Sequence, residues 1–233
     1  MKILSKIKGV FTFAQFIITV IITIVFMYIF RKNHRKVRRI WAKSQRFLIG
    51  YDIHVKGDID ENAKLVLANH QGAMDIVALE ELHPKDLCWV TKKEIEDIPI
   101  FGRIVHAPSM ISVAREDKRS LVKLLKDAKD RIEKGRVIAI FPEGTRSDGK
   151  RLLEFKQGAK FIAEKLDLKV LPVVITGSSE VFDTKTAQTH GKDITINFLP
   201  SVTPKAGTFW YEQLQEDMRK VLEDELANNP SNR

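Results

Sequence analysis

The chain has 233 residues, enough for one well-buried core with an appendage at most. Its net charge of +9 first suggests nucleic acid, but residues 1–49 hold 11 Lys/Arg and no Asp or Glu, which leaves 28 of the 39 basic residues against all 30 acidic ones in the remainder. A nucleic-acid reader spreads a basic face with stacking aromatics over its folded domain, so no nucleic-acid partner is expected. The one cysteine, Cys88, excludes an internal disulfide and any multi-thiolate metal site, and within Leu87-Cys88-Trp89-Val90 it reads as a buried, inert thiol.

Gly9 to Phe30 runs 22 residues without a charge. At about 1.5 Å per residue such a helix reaches roughly 33 Å, enough to cross a hydrocarbon core. A cleaved signal peptide is the bland alternative, but the run is long for one and no small-residue cleavage site precedes Arg31-Lys32. Three lysines stand before the run and eight Lys/Arg after it, between Arg31 and Arg46. The positive-inside rule then keeps the bulk of the chain on the cytoplasmic side of the cell's inner membrane. Residues 31–49 interleave basic residues with Val37, Ile40, Trp41, Phe47 and Leu48, which suits a second helix lying in the interface. A hairpin dipping into one leaflet fits residues 1–49 as well as a true span does.

From Tyr51 the pattern alternates. Candidate strands are 51–56, 64–69, 86–91, 110–114, 136–141, 170–176 and 193–199, and candidate helices 72–82, 118–134, 155–167 and 208–228. This predicts an α/β fold, a single mixed sheet flanked by helices, over 50–228, preceded by the two-helix membrane-binding segment 1–49 and followed by a disordered tail, 229–233.

Two loops at strand exits carry the chemistry. The first, Asn69-His70-Gln71-Gly72-Ala73-Met74-Asp75, offers a base with a carboxylate five residues on; Asp75, one turn into a helix, can reach back and fix the imidazole tautomer. Most histidines merely satisfy local hydrogen bonds, so the pair alone carries little. The second, Phe141-Pro142-Glu143-Gly144-Thr145-Arg146-Ser147, offers a glycine that lets backbone approach a ligand, a hydroxyl donor and a guanidinium fork suited to phosphate. An ordinary turn with a surface arginine is its bland reading. Gly144 to Arg151 imitates a P-loop, but Arg151 stands where Ser or Thr should hold magnesium. There is no Gly-x-Ser-x-Gly elbow, and the six scattered histidines give no metal site.

Together the two blocks resemble the glycerolipid acyltransferase family, specifically the 1-acylglycerol-3-phosphate (lysophosphatidic acid) acyltransferases. The Asn-His-x4-Asp and Phe-Pro-Glu-Gly-Thr-Arg-Ser blocks match in order. Between them Lys92 to Gly102, closing at Ile111-Ser112-Val113-Ala114-Arg115, resembles the second block, and Val170-Leu171-Pro172-Val173-Val174 the fourth. The resemblance covers about residues 45–205. Ser109 departs from the glycine usual in the second block, and Lys169 from a proline of the fourth; both are expected to bear on the acyl or acceptor pocket.

The resemblance implies a membrane-associated enzyme of phospholipid biosynthesis. It would move a fatty acyl group from an acyl thioester, acyl-CoA or acyl-ACP, to the free hydroxyl of 1-acylglycerol 3-phosphate, giving phosphatidic acid without a metal or redox cofactor. It implies His70 as base and Asp75 as its holder. Arg146, Arg115 and Lys92 would bind phosphate, and Asn69, Glu143, Gly144 and Thr145 would complete the substrate site; backbone N–H groups after His70 are the expected oxyanion donors. Acyl transfer to another lysolipid or an amino-acid lipid is the nearest alternative. A catalytically silent, membrane-anchored lipid-binding module is the alternative of another class.

Overall fold

The computed structural model describes residues 2–114, 119–190 and 193–228. Arg115 and the tail 229–233 lie outside the described residues. The chain opens with helix α1 (Lys2–Ile29), turns through the 3₁₀ residues Arg31–Asn33 and returns as α2 (His34–Gln45), which the π-helical turn Arg46–Gly50 hands to the sheet. There follow β1 (Asp52–Lys56), β2 (Leu65–Ala68), α3 (Ala73–Leu82), β3 (Leu87–Lys92), α4 (Lys93–Glu96), α5 (Arg103–His106) and β4 (Ile111–Val113). The second half runs α6 (Arg119–Glu133), β5 (Val137–Ile140), α7 (Gln157–Lys165), β6 (Val170–Thr176), α8 (Ser178–Val181), β7 (Asp193–Phe198) and α9 (Trp210–Asn228). Six of the seven strands fall within their expected windows, and β3 runs one residue past its own, to Lys92. Helices α4, α5 and α8 were not expected from the sequence, because four residues are too few to show a helical period.

The strands form one mixed sheet in the order β1-β7-β6-β2-β5-β3-β4, in which only β6 and β7 pair antiparallel. Strands β2 and β5, Leu-Val-Leu-Ala and Val-Ile-Ala-Ile, are buried along their whole length, as uninterrupted apolar strands are when both faces of a parallel sheet are covered. Alternation along each strand feeds two cores. Val66, Ala68, Val137, Ala139, Leu171 and Val173 face α1, α2 and α3, while Leu65, Leu67, Ile138, Ile140 and Val174 face α6, α7 and α9.

Register fixes where the chemistry falls. Leu67 lies opposite Ile140 on β5 and Pro172 on β6, with all three strands parallel, so their carboxyl ends open on one rim of the sheet. Asn69-His70, Phe141 to Ser147 and Gly177-Ser178 all leave from that rim, where open α/β sheets bind ligands.

The amino-terminal helices are packed to each other and to this body. Phe16 of α1 lies between Trp41 of α2 and Phe182, with ring centroids 5.5 Å from each. Polar side chains join the helices: Trp41 Nε1 donates to Thr19 Oγ1 at 3.2 Å, Gln45 Nε2 to the same oxygen at 3.1 Å, and Gln15 Nε2 to Gln45 Oε1 at 3.1 Å. Val20, Ile24 and Met27 enter the core, whereas Val10, Phe11, Ile18, Ile22, Val25 and Ile29 stay exposed. By length and composition, Lys8–Ile29 is apolar enough to cross a membrane.

Candidate active site

His70 stands two residues past the end of β2, after Asn69, and α3 begins three residues later. Asp75, at the third position of α3, accepts the N–H of Gly72 at 2.8 Å and of Gln71 at 2.6 Å, so the carboxylate closes the helix start. The same oxygen, Oδ2, meets Nδ1 of His70 at 2.7 Å, and Oδ1 accepts the hydroxyl of Ser178. Asp75 is 0% exposed, and two amides and a hydroxyl already donate to it. A buried carboxylate acceptor requires the proton on Nδ1, which leaves Nε2 as the basic nitrogen. Among the described residues Nε2 has no hydrogen-bond partner, and the His70 side chain is 14% exposed.

The imidazole is held on its face as well. The Phe141 ring lies 3.9 Å away at 8°, and Trp89 stacks on Phe141 at 5.1 Å. Ser147 N–H donates to the carbonyl of His70 at 2.8 Å, tying the arginine-bearing loop to the base.

Glu143 points inward. It is 1% exposed; Oε1 accepts the N–H of His70 at 2.7 Å and Oε2 that of Leu153 at 2.8 Å. Burial pushes its carboxyl up to about 7, against the pull of those two N–H groups. It shapes the site by holding backbone. Asn69 acts likewise: its amide exchanges two bonds with Ile175, donating to the carbonyl at 2.8 Å and accepting the N–H at 2.7 Å, which locks the exit of β2 to β6.

Gly144 sits at φ 74° in a turn whose N–H returns to Phe141 O at 3.0 Å, a conformation that costs other residues roughly 1 kcal/mol. Thr145 is exposed and Arg146 half-buried. Arg146 reaches Thr184 Oγ1 at 3.3 Å and lines a cavity of about 240 Å³ whose other walls include Val20, Met27, Ile76, Trp89 and Ile104; among the described residues no carboxylate pairs with it. A second cavity, of about 350 Å³, is lined by Phe141, Gly144, Leu121 and Leu124. Lys92 ends β3, half-buried, in register with Val113, two residues before Arg115.

One expectation is corrected. The N–H groups of Gln71 and Gly72 are taken by Asp75 and are not free for an oxyanion. Ser109 and Lys169 stand at the amino ends of β4 and β6, on the rim opposite His70, so neither adjoins the base, although Met110, next to Ser109, lines the cavity beside Arg146. Ser109 has φ 53°, where glycine is at ease, and its carbonyl is held by Arg131 Nε at 2.8 Å and Arg136 Nη1 at 3.1 Å. Sequence reasoning missed Ser178, Phe141 and Trp89 as neighbours of the base. The only signal for Ser178 was the Gly-Ser-Ser exit of a strand on the same rim.

The Acyltransferase family model matches residues 51–176, more than half of the chain, and spans both loops. The chain belongs to the acyltransferase family. A curated relative from Helicobacter pylori (strain J99), 1-acyl-sn-glycerol-3-phosphate acyltransferase, is 42% identical over 202 residues, 85% of each chain. A lyso-ornithine lipid O-acyltransferase from Rhizobium meliloti is 33% identical over 136 residues, 58% of this chain and 46% of its own. The crystal structure of the 1-acyl-sn-glycerophosphate (LPA) acyltransferase PlsC from Thermotoga maritima superimposes with a TM-score of 0.74 over 97% of this chain and 96% of that one. At 22% identity it shares the acyltransferase's fold.

Proposed function

We propose that this acyltransferase transfers a fatty acyl group from a thioester of coenzyme A or acyl carrier protein to the hydroxyl of 1-acylglycerol 3-phosphate, yielding phosphatidic acid. The observation that carries the reading is His70: Nδ1 bound to a fully buried Asp75, Nε2 without a protein partner, and the arginine-bearing loop tied to its backbone. In this reading Nε2 takes the proton of the acceptor hydroxyl as that oxygen attacks the thioester carbonyl. Asp75 stabilises the imidazolium that forms. Collapse of the tetrahedral intermediate expels the thiolate, and the imidazolium returns the proton to it. Arg146 takes the acceptor phosphate, helped by Lys92 and Arg115, and the apolar walls beside Arg146 receive an acyl chain. The 42% identity to the Helicobacter pylori enzyme over most of both chains supports this acceptor above a lyso-ornithine lipid.

Residues 1–49 act as the membrane anchor and 50–228 as the catalytic unit, on the cytoplasmic side of the inner membrane. A monotopic hairpin is favoured over a span. α2 lies along α1, bonded from Gln45 to Gln15 and Thr19, so a spanning α1 would drag the basic side chains of α2 into hydrocarbon at several kcal/mol. The test is an acyl-transfer assay over a panel of lysolipid acceptors with both donors. His70→Ala is expected to lose about 10²–10⁴ in rate while membrane association persists. Arg146→Ala is expected to weaken phosphate-bearing acceptors selectively. Near-normal turnover in His70→Ala would remove the base assignment, and equal loss on phosphate-free acceptors would remove the phosphate role.

A further inference from the structure

The bond to Asp75 fixes where Nδ1 points but leaves the imidazole free to rock about the Nδ1···Oδ2 line. Rocking swings Nε2 out of the path of the attacking hydroxyl. A flat partner on the ring face suppresses that motion, and Phe141 supplies it at 3.9 Å and 8°. Phe141 is itself only half-buried, and its placement depends on the Trp89 indole stacked against it at 5.1 Å and 23°.

Trp89 is in turn fixed by a polar bond. Its Nε1–H donates to Glu80 Oε1 at 2.8 Å, deep in the protein. That same carboxylate oxygen accepts a guanidinium N–H of Arg38, from α2, whose other arm reaches Asp86; Arg136 Nε lies 2.9 Å from Asp86 Oδ2. Burying a carboxylate is costly even when it is paired, and an apolar residue at position 80 would pack beside an indole more cheaply. What a charge there provides is a fixed direction for the indole N–H.

We propose that Trp89, oriented by Glu80, is a positioning residue for His70: it seats Phe141 flat on the imidazole and so aims Nε2. This rests on the reading of His70 as the base. The competing assignment is that Arg38, Glu80, Asp86 and Arg136 serve only to dock α2 on the sheet, in which case Trp89 matters to stability alone.

The two are separated in the full-length protein in detergent–phospholipid micelles. In Trp89→Leu, kcat is expected to fall roughly 10- to 100-fold, the cost of a misaimed group, separately from any change in KM that follows because Trp89 also lines the cavity beside Arg146. Trp89→Phe keeps the stack, loses the N–H bond and recovers most of that loss. In histidine-labelled protein the ring signals of His70, assigned by their disappearance in His70→Ala, move in Trp89→Leu and return toward the wild-type position in Trp89→Phe. A folded Trp89→Leu with unchanged kcat and unmoved His70 signals overturns the proposal, as does a loss confined to KM. Should Trp89→Leu not fold, Phe141→Leu decides, because it removes the ring that Trp89 is proposed to seat on the imidazole: lowered kcat with moved His70 signals in a folded protein supports the stack, and unchanged kcat with unmoved signals ends the proposal. The ring signals report the stack whether or not His70 is the base, so a failure here is distinct from active turnover in His70→Ala.

Discussion

Glu143 shows how a buried residue shapes a site through the backbone it holds. Its carboxylate joins the backbone of His70 to that of Leu153, and burial raises its folded value from 4.5 to about 7. The unfolded chain therefore releases this proton before the folded one does. Stability from this group is fully present below about pH 4.5 and is lost as pH rises toward 7, by on the order of 3 kcal/mol. Glu143→Gln is expected to flatten that part of the profile, read as the dependence of melting temperature on pH between 4.5 and 7 in detergent. A variant that tracks the wild type across that window contradicts the raised value. At this scale the sequence was legible where chemistry lay close in the chain: His70 and Asp75 are five residues apart and do meet. Ser178 was not legible, because its hydroxyl reaches Asp75 from 103 positions downstream and only the β2–β6 pairing brings it there.

Among the elements, the α1–α2 hairpin carries the sharpest division of surfaces. One face of α1 enters the core through Val20, Ile24 and Met27, and the other leaves Phe11, Ile18 and Val25 in the open. Exposed apolar area of this kind, contiguous along a helix, marks an interaction surface, which the function proposed above assigns to the membrane. Fully burying a side chain of this size contributes roughly 1.5–3 kcal/mol. Phe11→Asp combined with Val25→Asp is therefore expected to weaken binding to phospholipid vesicles more than tenfold in a flotation assay, with helix content by circular dichroism unchanged. Full binding by the double variant would move the membrane contact elsewhere, with Phe47 and Leu48 the next exposed candidates. The uncharged run from Gly9 to Phe30 made the helix legible. Which of its faces is covered was not, since period and hydropathy are alike on both sides of so apolar a helix.

For the whole molecule the decisive quantity is where the charge sits. All of the excess positive charge lies in the first 49 residues, against a nearly balanced remainder. Basic residues at a membrane surface contribute about 1 kcal/mol each toward anionic lipid, an attraction that falls off within a Debye length. Binding to vesicles rich in anionic phospholipid is expected to weaken steeply between low salt and roughly 1 M, where the screening length is about 3 Å, while binding to zwitterionic vesicles stays weaker and nearly constant. Equal salt response on both vesicle types would rule out an electrostatic part in the anchoring.

The strand windows, the longer helices, the charge division and the two chemical loops were determined by the sequence, because each depends on residues within a few positions of one another. The tertiary structure decided the rest. The parallel pairing of β2 with β5 and β6 brings three exits to one rim and the Ser178 hydroxyl to Asp75, and with β3 and β4 parallel as well it leaves Ser109 and Lys169 on the far rim. The stack from Trp89 through Phe141 to His70 exists only because residues 52 and 71 positions apart share neighbouring strands, a relation that no local pattern of side chains encodes.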